Sequence, residues 1–297
     1  MVKIFSGSSN KSLANKVSES LNTSLSPLEI TIFPDGERRV RVVDSVVDQD
    51  TVVIQSTAAP VDENYMELFF IVDALKRSSA KSVTAVIPYL GYQRQDHIFR
   101  DGEAVSLDVV IKALVAAGAS RVVTFDLHSI KIPEQFSIPV THLSALPLFA
   151  EKINKEDAVL VSPDMGGIRR IKILSELLGN MPYATIVKNR DLDTGEVIAE
   201  KIEGKVSKNA IIIDDMISSG KTIVAAANLL SKNGAEDIIA MATHAVFSNG
   251  VSSTLQNSAV SKVIVTDSIE IPKEKHFPKL EVLSIADIIA KELATSN

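Results

Sequence analysis

Short apolar runs rich in β-branched residues recur along the chain, at residues 2–5, 51–54, 83–87, 121–125, 158–161, 184–187, 210–213, 238–242 and 263–265. Between most of them apolar positions return at helical spacing, as at 66–75, 107–117 and 224–230. Strands that alternate with helices predict an α/β protein with mainly parallel, doubly wound sheets. Strands so uniformly apolar predict that both faces of each sheet are covered. Two stretches depart from the pattern. Phe33-Pro34-Asp35-Gly36-Glu37, ahead of the alternating Val40-Arg41-Val42, predicts a hairpin turn. The segment from Pro139 to Pro147 predicts a loop that separates two sets of βα units, dividing the chain into domains 1–143 and 144–297. A helix-like segment at 285–293 is free to pack on the N-terminal domain.

The length of 297 residues suits two domains that bury their own cores. With 45% hydrophobic and 23% charged residues the composition is that of a globular protein. A net charge of -6 argues against general affinity for nucleic acid, while leaving local basic clusters free to meet phosphates. No cysteine is present, which excludes disulfides, thiolate metal sites and a cysteine nucleophile. The chain starts directly in a strand-like segment and holds no apolar stretch long enough for a membrane span, so a cytoplasmic protein without membrane partners is expected.

The densest chemistry follows the run Ile211-Ile212-Ile213. Asp214 and Asp215 lead into Ser218-Ser219-Gly220-Lys221-Thr222 and then a helix, a strand-to-helix turn of the kind whose N–H groups favour an anion. The ending imitates a Walker A motif, but Asp215 stands where that motif needs its first glycine, so an ordinary P-loop hydrolase is excluded. A helix cap alone needs one hydroxyl and does not explain an acidic pair beside it. The carboxylates suit sugar hydroxyls, and the turn suits a phosphate.

Four further clusters end predicted strands. In Pro88-Tyr89-Leu90-Gly91-Tyr92-Gln93-Arg94-Gln95-Asp96-His97, either the tyrosines stack on a base and Arg94 meets phosphates, or the loop is solvated and its tyrosines pack. His128, after Asp126-Leu127, and Asp164, in Ser162-Pro163-Asp164-Met165-Gly166-Gly167, are an imidazole and a carboxylate able to share Mg2+ with substrate phosphates, although a lone strand-end histidine is often structural. The glycines after Asp164 let a backbone approach a diphosphate at a helix start. Lys188-Asn189-Arg190 puts two cations ahead of a turn-rich stretch; they could neutralise a transferring phosphoryl group, or form a solvated charged loop.

Taken in order, these stretches resemble the ribose-phosphate diphosphokinases, or phosphoribosyl pyrophosphate synthases, over essentially the whole chain. The matching segments include Phe33-Pro34-Asp35-Gly36-Glu37, Gln55-Ser56-Thr57, the Pro88 to Asp96 loop, Asp126-Leu127-His128, Ser162 to Gly167 and the acidic-pair loop, and Phe99-Arg100-Asp101-Gly102-Glu103-Ala104-Val105-Ser106 is most similar to archaeal members. The resemblance implies two phosphoribosyltransferase-like (type I) domains and transfer of a diphosphoryl group from ATP to ribose 5-phosphate. It implies that Asp35, Gly36 and Glu37 meet ATP with Arg94 and Gln95, the turn reaching a neighbouring subunit's site in a homo-oligomer. It implies Mg2+ at His128 and Asp164, catalysis by Lys188 with Arg190 beside it, and ribose 5-phosphate on Arg190, Asp214, Asp215 and Ser218, Ser219, Gly220, Lys221 and Thr222. Two features depart from the family: Lys221 replaces a small residue, pointing outward or assisting the phosphate, and the loop after Arg190 lacks the Arg-Pro-Arg of many members. A phosphoribosyltransferase that consumes the diphosphate donor shares the acidic-pair loop, but leaves Asp35 and Arg94 without a role. A non-catalytic regulatory relative does not explain Lys188, Arg190, His128 and Asp164.

Overall fold

The computed structural model describes residues 2–190 and 197–295, with side chains for all of these except 188–190 and 197–200. The chain divides into two compact units, Met1–Ser144 with Ser268–Glu270 and Ser284–Asn297, and Ala145–Asp267 with Ile271–Leu283.

The first unit contains strands β1 (Lys3–Ser6), β2 (Leu28–Ile32), β3 (Arg38–Val42), β4 (Asp50–Ile54), β5 (Ser82–Ile87), β6 (Arg121–Phe125) and β7 (Val140–Leu143). Its helices are α1 (Lys11–Ser20), α2 (Val61–Arg77) and α3 (Ser106–Ala117), together with the last helix of the chain, α8 (Ala286–Thr295). A parallel sheet runs in the order β1-β4-β5-β6-β7, while β2 and β3 form a separate antiparallel hairpin. Alternate residues of β5, Val83, Ala85 and Ile87, pack with Leu68, Ile71, Leu75 of α2 and Leu107, Ile111, Leu114 of α3. The intervening Val86 is fully buried too, so the strand is covered on both faces. Burial of each such side chain contributes roughly 1.5–3 kcal/mol relative to leaving it in water. The tail docks here: α8 packs on α1, where Ser20 Oγ donates to Asp287 Oδ1 at 2.7 Å, and Glu292 of α8 pairs with Arg121.

The second unit comprises α4 (Leu146–Lys152), β8 (Ala158–Ser162), α5 (Ile168–Leu177), β9 (Tyr183–Arg190), β10 (Val197–Glu203), β11 (Asn209–Ile217), α6 (Lys221–Lys232), β12 (Asp237–Ala245), α7 (Val251–Gln256), β13 (Lys262–Thr266) and β14 (Leu280–Leu283). Its sheet order is β10-β9-β8-β11-β12-β13-β14, parallel except for the β9–β10 edge ribbon. The chain moves outward from β8 to β10 and then returns to the other side of β8. Strand order therefore reverses between β8 and β11, which is where open α/β sheets leave a crevice at the carboxyl ends of their strands.

Three details differ from the sequence pattern. The segment from Pro139 to Pro147 is not a loop: it contains β7 and the start of α4, with Pro147 in that helix's first turn. The Val140-Thr141-His142-Leu143 strand escapes a periodicity reading because none of its residues is fully buried and it needs no continuous apolar run, and β14 escapes for the same reason. The cations at 188 and 190 lie within β9, and Asp214 and Asp215 lie within β11, whose pairing to β12 continues through Met216↔His244 and Ile217↔Ala245.

At the β14 edge Glu281 takes Lys152 Nζ at 2.9 Å and Lys262 Nζ at 2.5 Å, tying α4 to β13 and β14. The hydrogen bond from Lys262, then that from Lys152, hold the Glu281 carboxyl below its ordinary value. A depressed carboxyl stabilises the fold above its unfolded value and loses that contribution as pH falls through the folded one. Both lysines are partly exposed, so Glu281→Gln is expected to cost about 1 kcal/mol or less at neutral pH, in urea unfolding. The difference from wild type should shrink as pH drops below about 4; a pH-independent deficit would mean that packing, not charge, is lost.

Candidate active site

The acidic pair sits on the central strand of the second unit. Asp215 is buried and Asp214 nearly so, with 17% of its side chain exposed. Burial first, and the neighbouring Asp215 charge second, push the Asp214 carboxyl well above the ordinary range, and the Arg170 guanidinium opposes them. Asp214 Oδ1 also accepts the Asp215 N–H at 2.9 Å. The strand then turns through Ser218, Ser219 and Gly220 into α6. Gly220 adopts φ +75, and its α-carbon faces α7: a side chain there would stand 3.3 Å from Val251 and Leu255. The turn is held from behind by the Phe247 N–H donating to Ile217 O at 3.0 Å and the Ser248 N–H to Ser218 O at 3.1 Å. Ser219, Lys221 and Thr222 remain exposed, and Lys221 has no side-chain ion pair among the described residues. The Lys221 N–H donates to Ser219 Oγ at 3.5 Å, and the start of a twelve-residue helix, whose first N–H groups have no intrahelical acceptor, is an arrangement that receives an anion.

At the neighbouring strand end, β8 delivers Ser162-Pro163-Asp164. The exposed Asp164 turns back on itself: its Oδ1 accepts the N–H groups of Gly166 at 2.9 Å and Gly167 at 3.2 Å, and Ser162 Oγ donates to its carbonyl at 2.7 Å. The start of α5 is thereby fixed. The same helix brings Arg170 to the acidic pair, a residue the motif reading passed over; a cation in the first turn after Asp-x-Gly-Gly was its only sequence signal. Lys188 and Arg190 end β9, opposite Glu200 and Val197 in register; their side chains, and the turn-rich stretch 191–196, lie outside the described residues.

In the first unit the Arg94-Gln95 loop is built on a buried polar lattice. Thr57 Oγ1 accepts the Gly91 N–H at 2.7 Å and donates to Tyr89 O at 3.0 Å, and Tyr65 Oη donates to Gly91 O at 2.8 Å. Burial pushes the Tyr65 hydroxyl far up, so it serves as a donor throughout the physiological range. Tyr89 is buried, and Tyr92 stacks on Tyr65 with centroids 5.9 Å apart while donating to Asp62. The tyrosines therefore pack, and the exposed groups are Arg94 and Gln95. Buried Gln93 ties this loop to the next strand end, its Oε1 accepting the His128 N–H at 2.8 Å beneath the exposed imidazole.

The Asp35-Gly36-Glu37 turn closes the β2–β3 hairpin, with Asp35 Oδ1 accepting the Glu37 N–H at 3.1 Å. All three residues are exposed. Their base is clasped to α2 by Arg38, which donates to Glu63 Oε2 at 2.6 Å and lies 3.9 Å from buried Glu67. Beside the turn, Ile32, Met66 and Phe70 line a hollow of about 660 Å³.

The fold defines the class: an enzyme built from two phosphoribosyltransferase-like α/β units. Within that class the chain belongs to the ribose-phosphate pyrophosphokinase family. The N-terminal domain of ribose phosphate pyrophosphokinase matches residues 2–118 and the phosphoribosyl synthetase-associated domain residues 192–295. Ribose-phosphate pyrophosphokinase of Fusobacterium nucleatum is 40% identical over 98% of this chain and 94% of its own, and that of Thermosipho africanus 40% identical over 98% and 93%. The crystal structure of phosphoribosylpyrophosphate synthetase from Mycobacterium smegmatis superimposes with a TM-score of 0.93 at 37% identity, covering 99% of this chain and 98% of that one. No described helix is long and apolar enough to cross a membrane.

Proposed function

We propose that this chain transfers the diphosphoryl group of ATP to the 1-hydroxyl of ribose 5-phosphate, giving 5-phosphoribosyl 1-diphosphate and AMP in a Mg2+-dependent reaction. The observation that carries this reading is the strand-to-helix turn at the β8/β11 switch point. There a buried acidic pair runs directly into a hydroxyl-rich, glycine-turned helix start, the complement of a sugar that bears a phosphate. Family membership supports the choice of reaction.

Asp214 and Asp215 accept the ribose hydroxyls. The backbone N–H groups and hydroxyls of Ser218, Ser219, Gly220 and Thr222 hold the 5-phosphate, with Lys221 exposed at its rim. Arg94 and Gln95 hold ATP, together with Asp35, Gly36 and Glu37 from a second copy of the chain. An exposed turn beside an apolar hollow, where Ile32 and Met66 are 61% and 46% exposed, supports an assembly that shares its sites. The sugar's 1-oxygen attacks the β-phosphorus, the bond to the α,β-bridging oxygen breaks, and AMP departs with that oxygen while the hydroxyl proton passes to solvent. Lys188 and Arg190 neutralise charge on the group in transit. Locking the sugar at both ends supplies the alignment such a displacement needs. Since both substrates are intracellular metabolites, the enzyme works in the cytoplasm.

Mg2+ takes one or two protein ligands and completes its shell with phosphate oxygens and water. The exposed His128 imidazole in one unit and the exposed, amide-anchored Asp164 carboxylate in the other are each the kind of single ligand such an ion takes, and among the described residues no three His, Asp or Glu side chains converge as a closed cage. When bound, the ion draws charge from the phosphate oxygens. Purified protein given Mg2+, ATP and ribose 5-phosphate should release AMP in step with the diphosphate product, and EDTA should abolish the release. Formation of ADP alone, or no turnover, overturns the proposal.

A further inference from the structure

Two adjacent carboxylates beside a phosphate nest pose an electrostatic problem, because both would repel the group that the nest is shaped to hold. Arg170 meets it. From the first turn of α5 its Nη1 lies 3.8 Å from Asp214 Oδ1 and its Nη2 3.8 Å from Asp215 Oδ1. The three side chains are 15%, 17% and 7% exposed, so solvent screens this cluster little. At the start of the same helix Gly167 is held against the β8 end, where a β-carbon would stand 2.4 Å from Ser162 Oγ while meeting Arg170 Nη1 only at an ordinary 3.6 Å.

At these separations the contacts are charge attractions, longer than hydrogen bonds. The planar, always-charged fork of an arginine can face two carboxylates at once, one through each terminal nitrogen. Opposing the effect of burial on Asp214, the same charge favours the ionised form, which accepts hydroxyls.

We propose that Arg170 is a positioning residue for ribose 5-phosphate: it holds Asp214 and Asp215 side by side as acceptors and offsets their charge next to the phosphate nest. The inference rests on the ribose 5-phosphate reading of that strand-to-helix turn. It goes further by naming the group that lets a doubly acidic strand end tolerate a phosphorylated sugar.

The test measures ribose 5-phosphate binding by calorimetry, without ATP, alongside steady-state kinetics in full-length wild type, Arg170→Gln and Arg170→Lys. Thermal melts establish that each variant is folded. Arg170→Gln is expected to weaken ribose 5-phosphate binding by about tenfold or more, with KM for ATP within about twofold of wild type. Arg170→Lys, which keeps the charge and loses the fork, is expected to recover to within about threefold of wild type. A folded Arg170→Gln that binds ribose 5-phosphate as wild type does, or loses both substrates equally, overturns the inference and leaves the reaction standing. If Arg170→Gln does not fold, an Arg170→Lys protein that folds but loses more than about tenfold in affinity overturns it instead. Wild type that binds no ribose 5-phosphate overturns the reading of the acidic-pair turn, and the inference with it.

Discussion

Lys188→Ala is expected to lower kcat by about 10²–10³ while KM for ribose 5-phosphate and for ATP changes little, the signature of a group that acts on developing charge rather than on bound ground state. Two sources support this. Lys188 sits in β9, next to β8 in the sheet, at the end of a strand whose antiparallel partner β10 forms the sheet's edge. It also occupies the position that the ribose-phosphate diphosphokinase resemblance gives to the catalytic lysine. As the diphosphoryl group leaves AMP its oxygens carry extra charge, and a cation held against them lowers the barrier only in the transition state. On the proposed mechanism Arg190, which remains in the variant, would still neutralise part of that charge, which sets the expected loss below complete inactivation. Pre-steady-state AMP formation separates chemistry from product release: the burst should slow by the same factor as kcat. Unchanged turnover would remove Lys188 from the mechanism, and a large rise in KM for ribose 5-phosphate would make it a binding residue.

The second large effect is expected from a single methyl group. In Gly91→Ala the new β-carbon would stand 2.4 Å from the carbonyl oxygen of Thr57, 3.0 Å from Val61 Cγ1 and 3.1 Å from the Tyr65 ring. Thr57 cannot simply retreat, because its N–H donates to Tyr89 O at 2.9 Å and its Oγ1 accepts the Gly91 N–H itself. Tyr65 is held through its own bond to Gly91 O. Overpacking of this kind costs about 1–3 kcal/mol, which in a protein of this size lowers the melting midpoint by roughly 2–10 °C. The loop that yields carries Arg94 and Gln95, so under the proposed assignment of ATP to that loop and ribose 5-phosphate to the other unit, KM for ATP should rise while ribose 5-phosphate affinity stays near wild type. A normal melting point with a normal KM for ATP would show that the Thr57–Tyr65 lattice does not position that loop.

Much of the fold was legible as pattern. Every apolar run named at the outset corresponds to a strand, since parallel strands covered on both faces must be apolar throughout, and the Pro34-Asp35-Gly36 turn makes its hairpin. Strands β7 and β14 were not legible, because neither contains a fully buried residue and both tolerate polar side chains, Thr141, His142 and Glu281. The tyrosines of the 88–97 loop illustrate a limit of a different kind. Tyr89 and Tyr92 have the chemistry to stack on a base, but whether an aromatic ring faces ligand or core depends on residues far away in the chain, here Tyr65 and Asp62 of α2.

The chain by itself determined the βα alternation, the acidic pair with its small-residue turn, and the order of strand-end motifs that marks its family. These are properties of neighbouring residues, written in local spacing. Only the tertiary structure decided that the β8/β11 switch point brings the Asp164 turn, the acidic pair and the α6 start to one edge of a sheet, and that Arg170 stands between two carboxylates more than forty positions later. Packing decided this, because charges that neutralise each other across a sheet edge are paired by strand order and burial rather than by sequence separation.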